Sequence, residues 1–423
     1  MRILFLNLYF PPDTSATAKS AESMVHALAQ THEVTVLCGR PSYDPTERRP
    51  WRLWQTERLS TKSTQSVGQT ASAAFTVIRA GSTDYPRIQM NRRILNYLTY
   101  VKLAVCRALF IPCDVIFAMT DPPFNGIVGA FLSVLKRKPL IYDIQDMYPD
   151  MAVAGSIVQP GLLTQFWERL HRWALRHATR IIVLGDDMRA RIIAKGPKGS
   201  KDPKDIDPAK VFIVRSGVDT PPTDSPPPLN PEVTRAIRGN FRFVLLHAGN
   251  LGFYGAWDAI IAAGRKLEHE NIGFIFVGDG AERSRLEILA AGASNVRFFP
   301  FFPSSDIPSV LAAPDAHIVT IKRGLEGVVV PSKMFGIIAA GKPIVAVAAR
   351  DTDVAALGLR HGFAICADPA NPEELASIIR RIAADPAALA AMAHAAVQAA
   401  AQYSGANELR TLQRIVEDLH RRP

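Results

Sequence analysis

The sequence predicts two doubly wound α/β domains in tandem, facing each other across a cleft. Apolar runs of strand length alternate with helix-length segments through both halves, the pattern of parallel sheets covered by helices. A proline-rich stretch, Thr220-Pro221-Pro222-Thr223-Asp224-Ser225-Pro226-Pro227-Pro228, divides the two series. With 423 residues, 48% hydrophobic and 21% charged, the chain is long enough for two real cores.

Arg2-Ile3-Leu4-Phe5-Leu6-Asn7-Leu8 reads as a strand inside a parallel sheet, and Tyr9-Phe10-Pro11-Pro12 breaks it. Such a start leaves no room for a secretory signal. A helix is expected over 17–30, with Ala21, Met24, Val25 and Leu28 on one face, then a strand over 32–37. The loop between them holds Asp13 and Thr14, candidate substrate contacts. It lacks G-x-G-x-x-G, which argues against a nicotinamide cofactor.

Residues 41–74, rich in Ser, Thr and Gln, read as a long surface loop. A strand follows at 75–79. The helix expected over 94–111 is apolar along Leu98, Val101, Val105 and Leu109, and polar along Arg92, Asn96, Thr99 and Arg107. That suits packing on the sheet or lying on a bilayer; the interrupting charges disfavour a span. A strand at 114–120, a helix at 124–135 and the tract Lys136-Arg137-Lys138 lead to a strand at 139–142. Polar residues crowd its end: Asp143, Gln145, Asp146, Tyr148 and Asp150. Ligands of such sheets bind beyond strand C-termini. Asp143 and Asp146 both suit sugar hydroxyls or proton transfer, and both suit helix capping. A helix at 166–177, a strand at 180–184, an exposed loop at 195–210 and a strand at 211–214 complete the half.

The second series opens with a strand at 243–247 and the turn Ala248-Gly249-Asn250-Leu251-Gly252. Strands at 274–277 (followed by Gly278-Asp279-Gly280), 295–299, 316–321 and 344–347 continue it, and amphipathic helices run from 372. The domains are therefore expected at 1–220 and 241–403, joined by a linker at 221–240 about which they close. The last helix, about 404–423, should pack back on the first domain.

The stretch from Leu325 to Val347 carries the sharpest chemistry. Pro331 and Ser332 suit a helix start, Gly341 its C-cap and Pro343 its stop. Lys333 would stand beside free backbone N–H groups, an arrangement that attracts phosphate.

Charge and cysteines bound the partners. Net charge is +10, and residues 1–220 carry all of it, with 29 Lys/Arg against 19 Asp/Glu. A basic half without a nucleic-acid module points to an anionic membrane surface or a phosphorylated substrate. Cys38, Cys106, Cys113 and Cys366 are scattered without C-x-x-C spacing, which fits a reducing cytosol and argues against a zinc site.

Taken in order, these motifs resemble the GT-B glycosyltransferases of family 4, retaining enzymes, and within them the bacterial enzymes of O-antigen, capsule and exopolysaccharide assembly. The resemblance rests on Tyr9-Phe10-Pro11-Pro12, Thr120-Asp121-Pro122-Pro123 and Tyr142-Asp143-Ile144-Gln145-Asp146-Met147-Tyr148-Pro149. In the second half it rests on Gly249-Asn250-Leu251-Gly252, Phe276-Val277-Gly278-Asp279-Gly280-Ala281-Glu282, and Pro331-Ser332-Lys333 through Gly341-Lys342-Pro343. It implies two Rossmann-like domains, the donor on the second and the acceptor on the first. It also implies a nucleotide-diphospho-sugar donor, UDP-linked, and a lipid-linked or glycan acceptor at the inner membrane face, with no metal and no cofactor. By the same resemblance Gly249, Asn250, Gly252, Gly278, Asp279, Pro331, Ser332 and Lys333 bind the donor, Phe299 lies near the base, and Glu326 touches the sugar. The family's two glutamates seven residues apart are not both present. Gly336 or Met334 stands where the ribose-binding one is usual, and Phe253, Tyr254 and Gly255 follow the Gly-Asn turn where a basic residue is common. Two other readings stay open: a GT-B nucleotide-sugar epimerase, and a non-catalytic sugar-binding subunit.

Overall fold

The computed structural model describes residues 1–42, 50–60, 73–85, 90–196, 206–217 and 228–419. Most of the proline-rich linker (218–227), much of the 195–210 loop and the extreme C-terminus lie outside them.

The first sheet comprises β1 (Arg2–Leu6), β2 (Glu33–Cys38), β3 (Trp54–Ser60), β4 (Ala74–Ala80), β5 (Val115–Met119), β6 (Leu140–Ile144), β7 (Arg180–Val183) and β8 (Val211–Ile213). Their spatial order is β3-β4-β2-β1-β5-β6-β7-β8. Every pairing is parallel except β3 with β4. β3 corrects the sequence reading, which made 41–74 one loop. As an edge strand it exposes Arg58, Leu59 and Ser60, so it lacks the apolar run that marks an interior strand.

The second sheet comprises β9 (Phe243–Ala248), β10 (Ile272–Val277), β11 (Val296–Phe299), β12 (Ala316–Thr320), β13 (Ile344–Val347) and β14 (Ala364–Ala367), in the order β11-β10-β9-β12-β13-β14. Both sheets reverse direction at their middle, between β1 and β5 and between β9 and β12. The C-terminal ends flanking such a reversal form a crevice where ligands of open α/β sheets bind.

The helix expected over 94–111 runs Met90–Ala108, and that expected over 166–177 starts earlier, at Leu162. Ser15 caps the first helix, Ala16–Ala29, by accepting from the Ala18 N–H at 3.0 Å.

The two domains touch through opposed helix N-termini. Asp353, at the start of helix Asp353–His361, accepts from the Asp186 N–H at 3.0 Å. Asp187, in helix Asp186–Ala194, accepts from the Asp353 N–H at 3.1 Å. Arg215 donates to both Asp186 (2.8 Å) and Asp353 (3.0 Å). The last helix, Gly405–Glu417, lies on helix Ala16–Ala29, where Gln413 donates to the Ala27 carbonyl at 2.7 Å. Its Leu412, Ile415 and Val416 share a core with Phe5, Val25 and Phe117. The end of the chain thus completes the domain that its beginning starts.

Leu412 is fully buried there. Leu412→Ala should lower the unfolding free energy by about 2–4 kcal/mol. Chemical denaturation would register this, and a loss within experimental error would show that the helix is no part of that core.

Candidate active site

At the second sheet's reversal three chain segments converge. Gly249 follows β9 at φ 136° and Gly278 follows β10 at φ 138°, conformations that only glycine adopts without strain. A Cβ on Gly278 would lie 2.0 Å from the Gly249 carbonyl oxygen. A Cβ on Gly249 would lie 2.1 Å from Lys333 Nζ. The two turns are laced further: Leu251 N–H donates to the Asp279 carbonyl at 2.8 Å, and Glu282 N–H to the Leu251 carbonyl at 3.0 Å. Asp279 accepts from the Gly280 N–H at 2.8 Å. Asn250 offers its carbonyl to the Tyr254 hydroxyl at 2.5 Å, and Gly252 offers its own to Trp257 Nε1 at 2.6 Å. Tyr254 and Trp257 therefore brace this turn. Phe299 closes the far side, its carbonyl accepting from the Gly278 N–H at 3.0 Å.

The helix after the Pro331-Ser332 step spans Lys333–Ala339, and Ser332 makes no side-chain cap. Lys333 is thus the first helical residue, one or two places earlier than the sequence suggested. Its side chain is half-buried, and among the described residues its amine has no acid or hydrogen-bond partner. Desolvation alone lowers its pKa to about 8. An unpaired half-buried cation is costly, and an anion seated beside it offsets that cost.

Lys333 lines a cavity of ≈ 200 Å³ between the domains, with Pro331 and Ser332 beside it. His247, Tyr254 and Ile337 also line it, and Asp146 and Met151 come from the first domain. His247 is buried next to Lys333, and burial with that neighbour holds its pKa well below the usual imidazole value. His247 carries no sequence signal beyond its place near the C-terminal end of β9, and Met151, in the helix Asp150–Ala154, carries none.

The two candidate carboxylates separate. Asp146 faces this cavity; its main-chain N–H and that of Gln145 reach Thr120 Oγ1 at 3.4 and 2.9 Å. Burial, reinforced by Asp121, raises its pKa to about 7. Asp143 does not line the cavity. It is fully buried on the strand face it shares with Ile141, bonded to Gln145 Nε2 at 2.7 Å, and its pKa is likewise raised to about 7 by burial.

Glu326 turns away as well: its carboxylate accepts from the Gly324 N–H at 3.0 Å, and its carbonyl from Arg191 at 3.0 Å. Asp13 accepts from the Ser42 N–H at 2.9 Å, Thr14 is exposed, and neither borders the cavity. Among the described residues no cluster of His, Cys, Asp or Glu has metal-binding geometry. Nothing crowds Gly336, where a Cβ would meet only Leu311 Cδ1, at 3.7 Å.

Comparison with known proteins places this architecture. The model of the glycosyl transferase 4-like domain matches residues 15–201, and that of glycosyl transferases group 1 matches 242–385. A protein of Escherichia coli K12 designated colanic acid biosynthesis glycosyl transferase WcaI is 24% identical over 90% of this chain and 92% of its own. One of Pseudomonas aeruginosa designated glycosyltransferase WbjE is 24% identical over 75% and 79%. Among solved structures, HepE of Anabaena in complex with UDP aligns over 99% of this chain and 100% of its own, at 18% identity and a TM-score of 0.66. WaaG, a glycosyltransferase of lipopolysaccharide biosynthesis, aligns over 98% and 99%, at 18% identity and a TM-score of 0.59.

The separation of the carboxylates has a consequence for stability. Asp143 holds its proton to about pH 7 when folded and only to the ordinary carboxylate range when unfolded, so it destabilises the fold as pH rises from about 4 to 7. Asp143→Asn should therefore raise the melting temperature at pH 8 and change it little at pH 4. The mutant should keep its activity, while Asp146→Asn loses it. Equal loss of activity in both would return Asp143 to the site.

Proposed function

This chain is a GT-B glycosyltransferase, carrying the glycosyl transferase 4-like and group 1 domains in tandem, and we propose that it transfers a sugar from a UDP-linked donor, with retention, to a lipid-linked or glycan acceptor in surface polysaccharide assembly. The observation that carries this reading is the Lys333 amine, half-buried and, among the described residues, without an acid, at the crossing of the Gly249 and Gly278 turns. A diphosphate there would meet that cation and backbone N–H groups, and negative charge grows on it as the glycosidic bond breaks. Two solved relatives in fold, complexes of HepE with UDP and with UDP-glucose, support UDP as the donor's nucleotide.

On the opposite wall Asp146, with a pKa near 7, serves as a base for the acceptor hydroxyl better than an ordinary carboxylate would. The donor contacts assigned to Gly249, Asn250, Gly252, Gly278, Asp279, Phe299, Pro331 and Ser332 belong to this reading. Glu326 would have to swing out of its own loop to reach a sugar. The reaction is proposed to need no metal and no cofactor, and to run at the inner face of the bacterial membrane.

Thermal shift against UDP-, GDP-, CMP- and ADP-sugars tests the donor assignment, because ligand binding raises apparent stability by mass action. A clear UDP-sugar shift is expected; a shift with another nucleotide only would replace the base. Lys333→Ala should then cost roughly 2–4 kcal/mol in the transfer barrier, the size of one lost preorganised donor. Lys333→Arg should recover little of it. Lys342, whose amine is occupied by the Pro314 carbonyl at 2.9 Å, serves as control. Near-normal turnover in Lys333→Ala would remove it from the site.

A further inference from the structure

The segment from Leu325 to Lys333 belongs to the second domain, yet its first half is held by the first. Arg191, in helix Asp186–Ala194, donates to the Glu326 carbonyl at 3.0 Å. The rest of its guanidinium is fixed within its own domain, donating to Asp150 at 3.1 and 3.2 Å. A planar fork anchored in this way offers its remaining N–H at one place and angle. Asp187 lies four positions earlier, on the same face of the helix. Its carboxylate accepts from the N–H groups of Asp353 and Met188 at 3.1 and 2.7 Å, and the Gly327 N–H bonds to it as well.

Gly327 itself lies against the first domain's backbone. Its φ is 66°, and a Cβ there would stand 2.5 Å from the Asp187 carbonyl oxygen. Only glycine permits that approach. Leu325 and Val328, on either side, are buried in the same hydrophobic core as Met188 and Ile192 of the first-domain helix. With Asp150 and Arg191 they also border a groove of ≈ 770 Å³ between the domains.

The second half of the segment is a wall of the candidate donor site. Val329, Val330, Pro331, Ser332 and Lys333 all line the ≈ 200 Å³ cavity. Gly327 precedes Lys333 by only six residues. Ser332 makes no side-chain cap, so the start of helix Lys333–Ala339 is not locked by its own capping residue. What holds the chain just before it therefore helps to set where the Lys333 amine stands.

We propose that Asp187 and Arg191 of the first domain are positioning residues for the donor. They pin the Leu325–Lys333 segment, so that a diphosphate meets the lysine and the backbone N–H groups already in place. The proposal rests on the donor reading of Lys333. A pinned segment needs no ordering when the donor arrives, whereas ordering a free one weakens binding. Donor affinity thereby depends on the first domain through side chains that need not touch the donor.

The test is amide hydrogen exchange over 325–332 together with UDP affinity by calorimetry, on the full chain and its variants. Arg191→Ala leaves Asp150 its bond from Lys195 at 2.6 Å, so the first domain should still fold. It should speed exchange over 325–332 several-fold and weaken UDP binding by about fivefold, the worth of one hydrogen bond. Asp187→Ala should do more of both. Arg191→Lys keeps the charge but not the fork, and should stay nearer to Arg191→Ala than to the wild type. Arg189, on the same helix, donates to the first-domain carbonyls of Val211 and Pro208 at 3.2 and 3.1 Å. Arg189→Ala should lower the melting temperature and leave both readouts at the wild-type level. Wild-type exchange or wild-type UDP affinity in Arg191→Ala overturns the proposal. So do equal losses in Arg189→Ala, which would trace them to the helix as a whole. If the wild type binds no UDP, the donor reading falls, and the exchange comparison alone decides whether the segment is pinned.

Discussion

Everything in the candidate site depends on one steric constraint, the crossing of two glycine turns and a lysine. Gly278 passes so close to the Gly249 carbonyl that no side chain fits between them, and Gly249 in turn makes room for the Lys333 amine. A Cβ at Gly278 would push the two turns apart, and one at Gly249 would displace the Lys333 amine. The rest of the second domain serves this crossing. Trp257, fully buried, pins the Gly252 carbonyl, and Tyr254 pins that of Asn250. The outcome is a cation held in a low-dielectric wall, where an anion gains more from it than it would in water.

The opposite wall is held in register by the exchanged carboxylates at the domain boundary. Asp187 and Asp353 each cap the other domain's helix, and Arg215 ties Asp353 to Asp186. Burial, with the neighbouring Asp353 charge, nevertheless raises the Asp187 pKa to about 6, and the Asp353 N–H offsets only part of that. The Arg215 N–H also donates to Glu408 of the last helix at 2.8 Å. The final segment therefore reaches both the first domain's core and this boundary. Asp146 and Lys333 line one cavity where the two sheets' C-terminal ends face each other.

Much of this was legible in the residues. Interior strands such as Ile3–Leu6 and Phe243–Leu246 are unbroken apolar runs, and parallel sheets leave that mark. Gly249 and Gly278 are legible as turns and Lys333 as a residue at a helix start, because these have local signatures, while the two glycines' place in a donor site comes from the family resemblance. What escaped notice lacked such a signature. β3 is a polar edge strand. Asp143 and Asp146 are three residues apart at one strand end, and only the pleat decides that Asp143 turns into the core. Glu326 looked like a ligand contact, yet its carboxylate bonds to its own loop, a backbone detail that no spacing reveals.

The central claim is that a diphosphate binds against the half-buried Lys333 amine, and proton linkage tests it most directly. With a pKa of about 8, that amine is largely neutral at pH 9 and must regain a proton when a diphosphate approaches. Titration calorimetry with UDP in two buffers of different ionisation enthalpy should show proton uptake at pH 9, little at pH 7, and an affinity that falls as pH rises past about 8. Lys333→Ala should abolish the uptake. An affinity that stays flat from pH 7 to 9.5 with no proton taken up would contradict the account.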